Sequence, residues 1–118
     1  MTIATKPLFD VEYSNVSKTY SLDKEILKEF DYFTEANGLK KTKVISDLFK
    51  RLPLDLESQE KIKTAFESKT NKTKRTLTAS ADALQNMESY ADLHKYSKSG
   101  IVEKLLTLFL IEKGVRTA

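Results

Sequence analysis

Residues Thr19 to Leu52 read TYSLDKEILKEFDYFTEANGLKKTKVISDLFKRL, and residues Thr76 to Phe109 read TLTASADALQNMESYADLHKYSKSGIVEKLLTLF. Sliding the chain by 57 residues lays the first stretch on the second over 34 positions without a gap. Only four of those pairs are identical: Thr19/Thr76, Leu27/Leu84, Lys41/Lys98 and Leu48/Leu105. The apolar pattern matches better than the identities. Tyr20 and Leu22 fall on Leu77 and Ala79, Asp23 falls on Ser80, and Phe30 and Phe33 fall on Met87 and Tyr90. Val44, Ile45, Leu48 and Phe49 fall on Ile101, Val102, Leu105 and Leu106.

Each copy reads as strand, helix, tight turn, helix. Alternation over 17–22 and 74–79 has period two, which a strand requires. From Asp23 the period changes: Ile26, Leu27, Phe30 and Phe33 share one helical face, with Asp23 as N-cap and Glu25 in the first turn. Asn37-Gly38 ends that helix, because glycine tolerates the left-handed conformation after a helix C-terminus. The second helix carries Val44, Ile45, Leu48, Phe49 and Leu52, and Pro53 cannot continue it. In the second copy Ser80 is the N-cap, with Asp82 in the first turn, and Leu84, Met87, Tyr90 and Ala91 form the stripe. Ser97 then caps a last helix that ends before Gly114. The stripe aromatics read as core.

Outward from the repeat, residues 1–16 form an N-terminal arm in which Phe9, Val11 and Tyr13 alternate with Asp10, Glu12 and Ser14. Residues 53–73 form a connector with a helical face at Ile62, Ala65 and Phe66, and 115–118 a short tail. The units themselves span 17–52 and 74–114.

This unit resembles the ribbon-helix-helix family of the Arc and MetJ repressors. The likeness rests on Thr19-Tyr20-Ser21-Leu22-Asp23 and Thr76-Leu77-Thr78-Ala79-Ser80 as strand and cap. It rests equally on Asn37-Gly38-Leu39-Lys40-Lys41-Thr42 and Lys95-Tyr96-Ser97-Lys98-Ser99 as turns. Two copies in one register make it more specific than either alone. There are two departures. Lys40 stands where the family usually has a Ser cap, and Lys95 where it usually has Gly, which implies a different turn or a left-handed lysine.

The fold implied is mainly α, with a short two-stranded antiparallel β-ribbon. A lone unit of this kind cannot bury its helices or pair its strand, and family members dimerise. Both units lie here on one chain, so an intramolecular pseudo-dimer is expected, with domain-swapped pairing between two chains as the alternative. If Tyr20, Leu22, Leu77 and Ala79 face the helices, then Ser17, Thr19, Ser21, Lys74, Thr76 and Thr78 face away. In the family the outward positions read bases, and a ribbon of hydroxyls with a lysine fits the major groove. Phosphate contacts are expected at the starts of the second helices, from Lys40, Lys41, Thr42 and Lys43 and from Ser97, Lys98 and Ser99, where free N–H groups attract anions. Lys72 and Arg75 join them from a basic run, 69–75, of net charge +4, and 39–52 carries the same net charge.

Composition leaves little room for chemistry. The chain has 118 residues, formal charge +3, 31% charged residues, no cysteine, one histidine and three glycines. It therefore lacks a thiolate metal site, a histidine cluster and a phosphate-cradling loop, and neither enzyme activity nor a cofactor is expected. His94 reads as a helix-end surface residue, and the carboxylates as solvated faces among lysines. No stretch approaches the roughly 20 apolar residues of a membrane span, so a cytoplasmic protein is expected.

The partner implied by the resemblance is double-stranded DNA, and the role a transcriptional regulator, most often a repressor. The alternative is an accessory DNA-binding and bending protein of a plasmid transfer (relaxosome) or partition complex. Further partners would be a second copy on adjacent sites and a relaxase or other protein. An antitoxin, or a helical interaction module with no DNA role, ranks lower.

Overall fold

A computed structural model describes residues 15–52 and 71–117. The arm apart from Asn15 and Val16, and the connector from 53 to 70, lie outside the described residues. The elements in chain order are β1 (Asn15–Asp23), α1 (Lys24–Ala36), α2 (Lys41–Lys50), β2 (Lys72–Ser80), α3 (Ala81–His94) and α4 (Lys98–Glu112). The protein is mainly helical, with four helices and one two-stranded antiparallel sheet.

Both strands run further than the alternation alone suggests. Asn15 and Val16 belong to β1 rather than to the arm, and Lys72 and Thr73 belong to β2 rather than to the connector. Pairing extends because Val16, opposite Ala79, packs against the core.

The register pairs Thr19 with Thr76, and outward from them Ser17 with Thr78 and Ser21 with Lys74. Thr19 and Thr76 are equivalent positions of the repeat, so the pairing is centred on an equivalent pair. One sheet face holds the buried side chains Tyr20, Leu22, Leu77 and Ala79. It lies on Phe30, Ile45, Met87, Ile101, Leu105 and Leu106, each at most 2% exposed.

Packing is crosswise. α2 lies against β2 and α3 of the other copy, and α4 against β1 and α1. Phe109 of α4 meets Phe30 and Phe33 of α1 edge-on, with centroids 5.8 and 5.7 Å apart. Each fully buried apolar side chain contributes roughly 1.5–3 kcal/mol relative to exposure. α2 and α4, each in one half of the chain, are thus both covered by elements of the other half.

The helix ends differ between copies. Asp23 Oδ1 accepts from the Glu25 and Ile26 amides at 2.7 and 3.0 Å, whereas Ser80 caps α3 without a side-chain bond. At the second helices the order reverses. Lys40 precedes α2 with no side-chain cap, while Ser97 Oγ accepts from the Gly100 amide at 2.9 Å. Gly38 and its equivalent Lys95 both adopt positive φ, 64° and 60°. Lys95 (ψ 36°) is thus the left-handed lysine that the missing glycine implied.

Candidate nucleic-acid interface

Strand alternation places the six outward residues on one face of the ribbon. Ser17, Thr19, Ser21, Lys74 and Thr76 are exposed and Thr78 is half-buried. Two of the three pairs are joined through their hydroxyls, Ser17 Oγ to Thr78 Oγ1 at 2.8 Å and Thr19 Oγ1 to Thr76 Oγ1 at 2.9 Å. Each hydroxyl keeps further lone-pair capacity toward solvent. Ser21 faces Lys74 across the strands.

The start of α4 is tied to this ribbon. The Ser21 amide, on the unpaired edge of β1, donates to Ser99 Oγ at 2.9 Å. Ser97 is occupied as the N-cap, and Lys98 lies 3.3 Å from Asp92 Oδ1. At the start of α2, Lys41 Nζ pairs with Glu35 at 3.2 Å, and Lys43 pairs with Asp47 at 3.5 Å. These are exposed or half-exposed pairs, worth little and readily exchanged for another anion. Lys40 is exposed, and Thr42 is half-buried beside it.

Two of the basic residues are engaged differently. Arg75 lies opposite Tyr20, on the helix-facing side, and grips Asp31 of α1 through two bonds of 3.1 and 2.7 Å. The paired carboxylate raises the guanidinium pKa further above its ordinary value, partly offset by burial. Lys72 Nζ lies 2.7 Å from Glu103 Oε1. Both cations thus hold the ribbon to the helices rather than joining the six outward side chains.

Glu103 was not among the residues singled out from sequence, where carboxylates read as solvated. It is 3% exposed and also accepts from the Asp23 amide at 2.9 Å. Its repeat equivalent, Ser46, accepts from the Ser80 amide at 2.9 Å. Ser46 and Glu103 are repeat equivalents but lie beyond the edge of the apolar stripes, so periodicity reads them as solvated; only the pairing of the strand edges buries them. Lys104, next to Glu103, has its pKa lowered chiefly by burial, with the neighbouring Lys72 charge adding to the effect and Glu103 opposing it.

His94 stacks on Tyr96 at 5.6 Å between centroids and also meets Tyr90. Among the described residues no three His, Asp or Glu side chains gather as a metal-binding group, and no helix is long and apolar enough to cross a membrane. Comparison with known proteins returned no matching family model, no matching curated protein and no matching solved structure.

Proposed function

We propose that this chain is a tandem ribbon-helix-helix protein, folded as an intramolecular pseudo-dimer, that binds double-stranded DNA sequence-specifically by laying its β-ribbon in the major groove. The observation that carries the reading is the outward ribbon face: five hydroxyls and one ammonium, with every large apolar side chain of the strands turned the other way. A two-stranded ribbon fits the groove, where hydroxyls donate or accept and a lysine reaches guanine O6 and N7. The crosswise packing supports the pseudo-dimer, since each half is covered by the other. Lys40, Lys41, Thr42 and Lys43 at one flank, and Ser97, Lys98 and Ser99 at the other, would hold phosphates while the ribbon reads bases. Arg75 and Lys72 would act indirectly, by fixing the ribbon to α1 and α4. The role that fits is transcriptional regulation, with an accessory function in plasmid transfer or partition as the alternative.

The test is duplex binding followed across a salt series. Log affinity should fall with log salt by about 0.9 per phosphate neutralised, and Lys41→Ala and Lys98→Ala should each lower that slope by about one. Absence of duplex binding at low salt would reject the DNA reading and leave a protein-interaction module.

A further inference from the structure

The two ends of the ribbon carry different chemistry. At one end Ser17 and Thr78 are joined hydroxyl to hydroxyl, and the adjoining Ser80 amide is held by Ser46 of α2. At the other end Ser21 faces Lys74, and the Ser21 amide is held by Ser99 at the start of α4. The repeat makes Ser17 the equivalent of Lys74, so the one charged outward position has a neutral counterpart at the opposite end.

Lys74 also differs from the cations beside it. Lys72 is taken by the buried Glu103 carboxylate and Arg75 by Asp31. Among the described residues Lys74 has no hydrogen bond or ion pair. Its ammonium is thus an uncommitted triple donor on a face otherwise made of hydroxyls. A symmetric reader would accept a palindrome in either of two equivalent placements. A reader with a single lysine at one end binds better when an acceptor-rich base lies under that end, and guanine, with O6 and N7 on its major-groove edge, is that base.

We propose that the protein binds DNA in one fixed orientation, with Lys74 on a guanine in the half-site flanked by α4 and a hydroxyl-read half-site flanked by α2. The inference rests on the ribbon reading proposed above and adds the polarity of the site. Glu103 and Asp31 contribute by withdrawing Lys72 and Arg75, which leaves Lys74 as the cation of the outward face, Lys18 lying opposite Leu77 on the other register.

The absence of cysteine allows a direct test, because a single introduced cysteine is the only site for a thiol-directed label. Ala36 and Leu93 are equivalent in the repeat and exposed, near the ends of α1 and α3 and outside the proposed DNA contacts. Ala36→Cys and Leu93→Cys, each carrying a tethered iron chelate, are bound to a duplex selected by the wild-type protein, and radical cleavage of the DNA is mapped. The expected result is cleavage at one flank for each label, with the Leu93→Cys label cutting the flank beside the guanine. Lys74→Ser in the same two backgrounds should lower the guanine preference at that position by about tenfold. It should also make both labels cut both flanks. Equal cleavage of both flanks by labelled wild-type protein would overturn the orientation while leaving sequence-specific binding standing. The same holds if the Leu93→Cys label cuts the flank away from the guanine, or if orientation persists in Lys74→Ser. Failure of selection to yield any preferred duplex would overturn the ribbon reading itself.

Discussion

At the outer edge of β1 the Asp23 amide donates to the Glu103 carboxylate, whereas at the outer edge of β2 the equivalent Ser80 amide donates to the Ser46 hydroxyl. The task is the same, to satisfy a strand-edge N–H that would otherwise be buried without a partner. The means differ, and with them the neighbourhood: the carboxylate brings Lys72 to 2.7 Å, and the hydroxyl needs no counter-charge. Similar pairs of solutions recur. Gly38 and Lys95 make the same left-handed turn, Asp23 caps with its side chain and Ser80 does not, and Phe30 occupies the place of Met87. Backbone shape and apolar volume are shared between the copies. Charge and hydrogen-bonding chemistry are where they diverge.

The largest expected effect tests the apolar side of this comparison. Phe30→Ala should cost about 4 kcal/mol and Met87→Ala about 1 kcal/mol less, because Phe30 also loses its edge-on contact with Phe109. Urea unfolding midpoints measure both. Equal losses would mean the aromatic cluster adds nothing to its end of the core.

The polar edge comes next. Glu103→Ala leaves both the Asp23 amide and Lys72 without this acceptor and should cost about 2–3 kcal/mol, against about 1 kcal/mol for Ser46→Ala. If the two substitutions cost the same, the charge at the β1 edge is stabilising nothing beyond one hydrogen bond.

The pattern of strands, helices and turns was legible because it depends on apolar spacing and a few punctuating residues. Asn37-Gly38 ended a helix and Asp23 and Ser97 began others, whereas α2 stops at Lys50, short of the Pro53 that the sequence offered as its end. The outward set of six was legible for the same reason, since alternation alone divides a strand into two faces. The fates of Lys72 and Arg75 were hidden. Whether a cation beside a ribbon is free depends on which carboxylate the fold brings against it, Glu103 of the same half for Lys72 and Asp31 of the other half for Arg75, and such pairings lie 31 and 44 residues apart in the chain. The strand ends were underestimated because Val16 packs on the core and the Ser80 and Asp23 amides of the last pairs donate to Ser46 and Glu103, none of which alternation shows.

A smaller effect is expected at the turns. Lys95→Gly should stabilise the protein by about 1 kcal/mol, and Gly38→Ala should destabilise it by a similar amount, because a side chain at positive φ is strained. Thermal unfolding of the two variants reads this directly. Opposite shifts support the equivalence of the two turns, and shifts of the same sign would end it.

A pH dependence separates Tyr20 from its repeat equivalent. Burial, and then the Glu88 charge, push the Tyr20 phenol up to about 12, whereas its equivalent Leu77 carries no proton. Above pH 10 the unfolded chain releases that proton while the folded protein retains it. This stabilisation is therefore complete below about pH 10 and is lost as pH rises toward 12. Tyr20→Phe should make the alkaline decline of stability shallower across that window. An unchanged decline would place the sensitivity elsewhere.

Selection of a DNA sequence by the outward ribbon face is the proposal on which the rest depends. It is tested most directly by selecting bound duplexes from a random pool with wild-type protein and with the triple variant Lys74→Ala/Thr76→Ala/Thr78→Ala. The variant is expected to keep its fold and its salt-dependent binding to any duplex but no longer to enrich the wild-type sequence. Enrichment of the same sequence by both proteins would contradict the proposal.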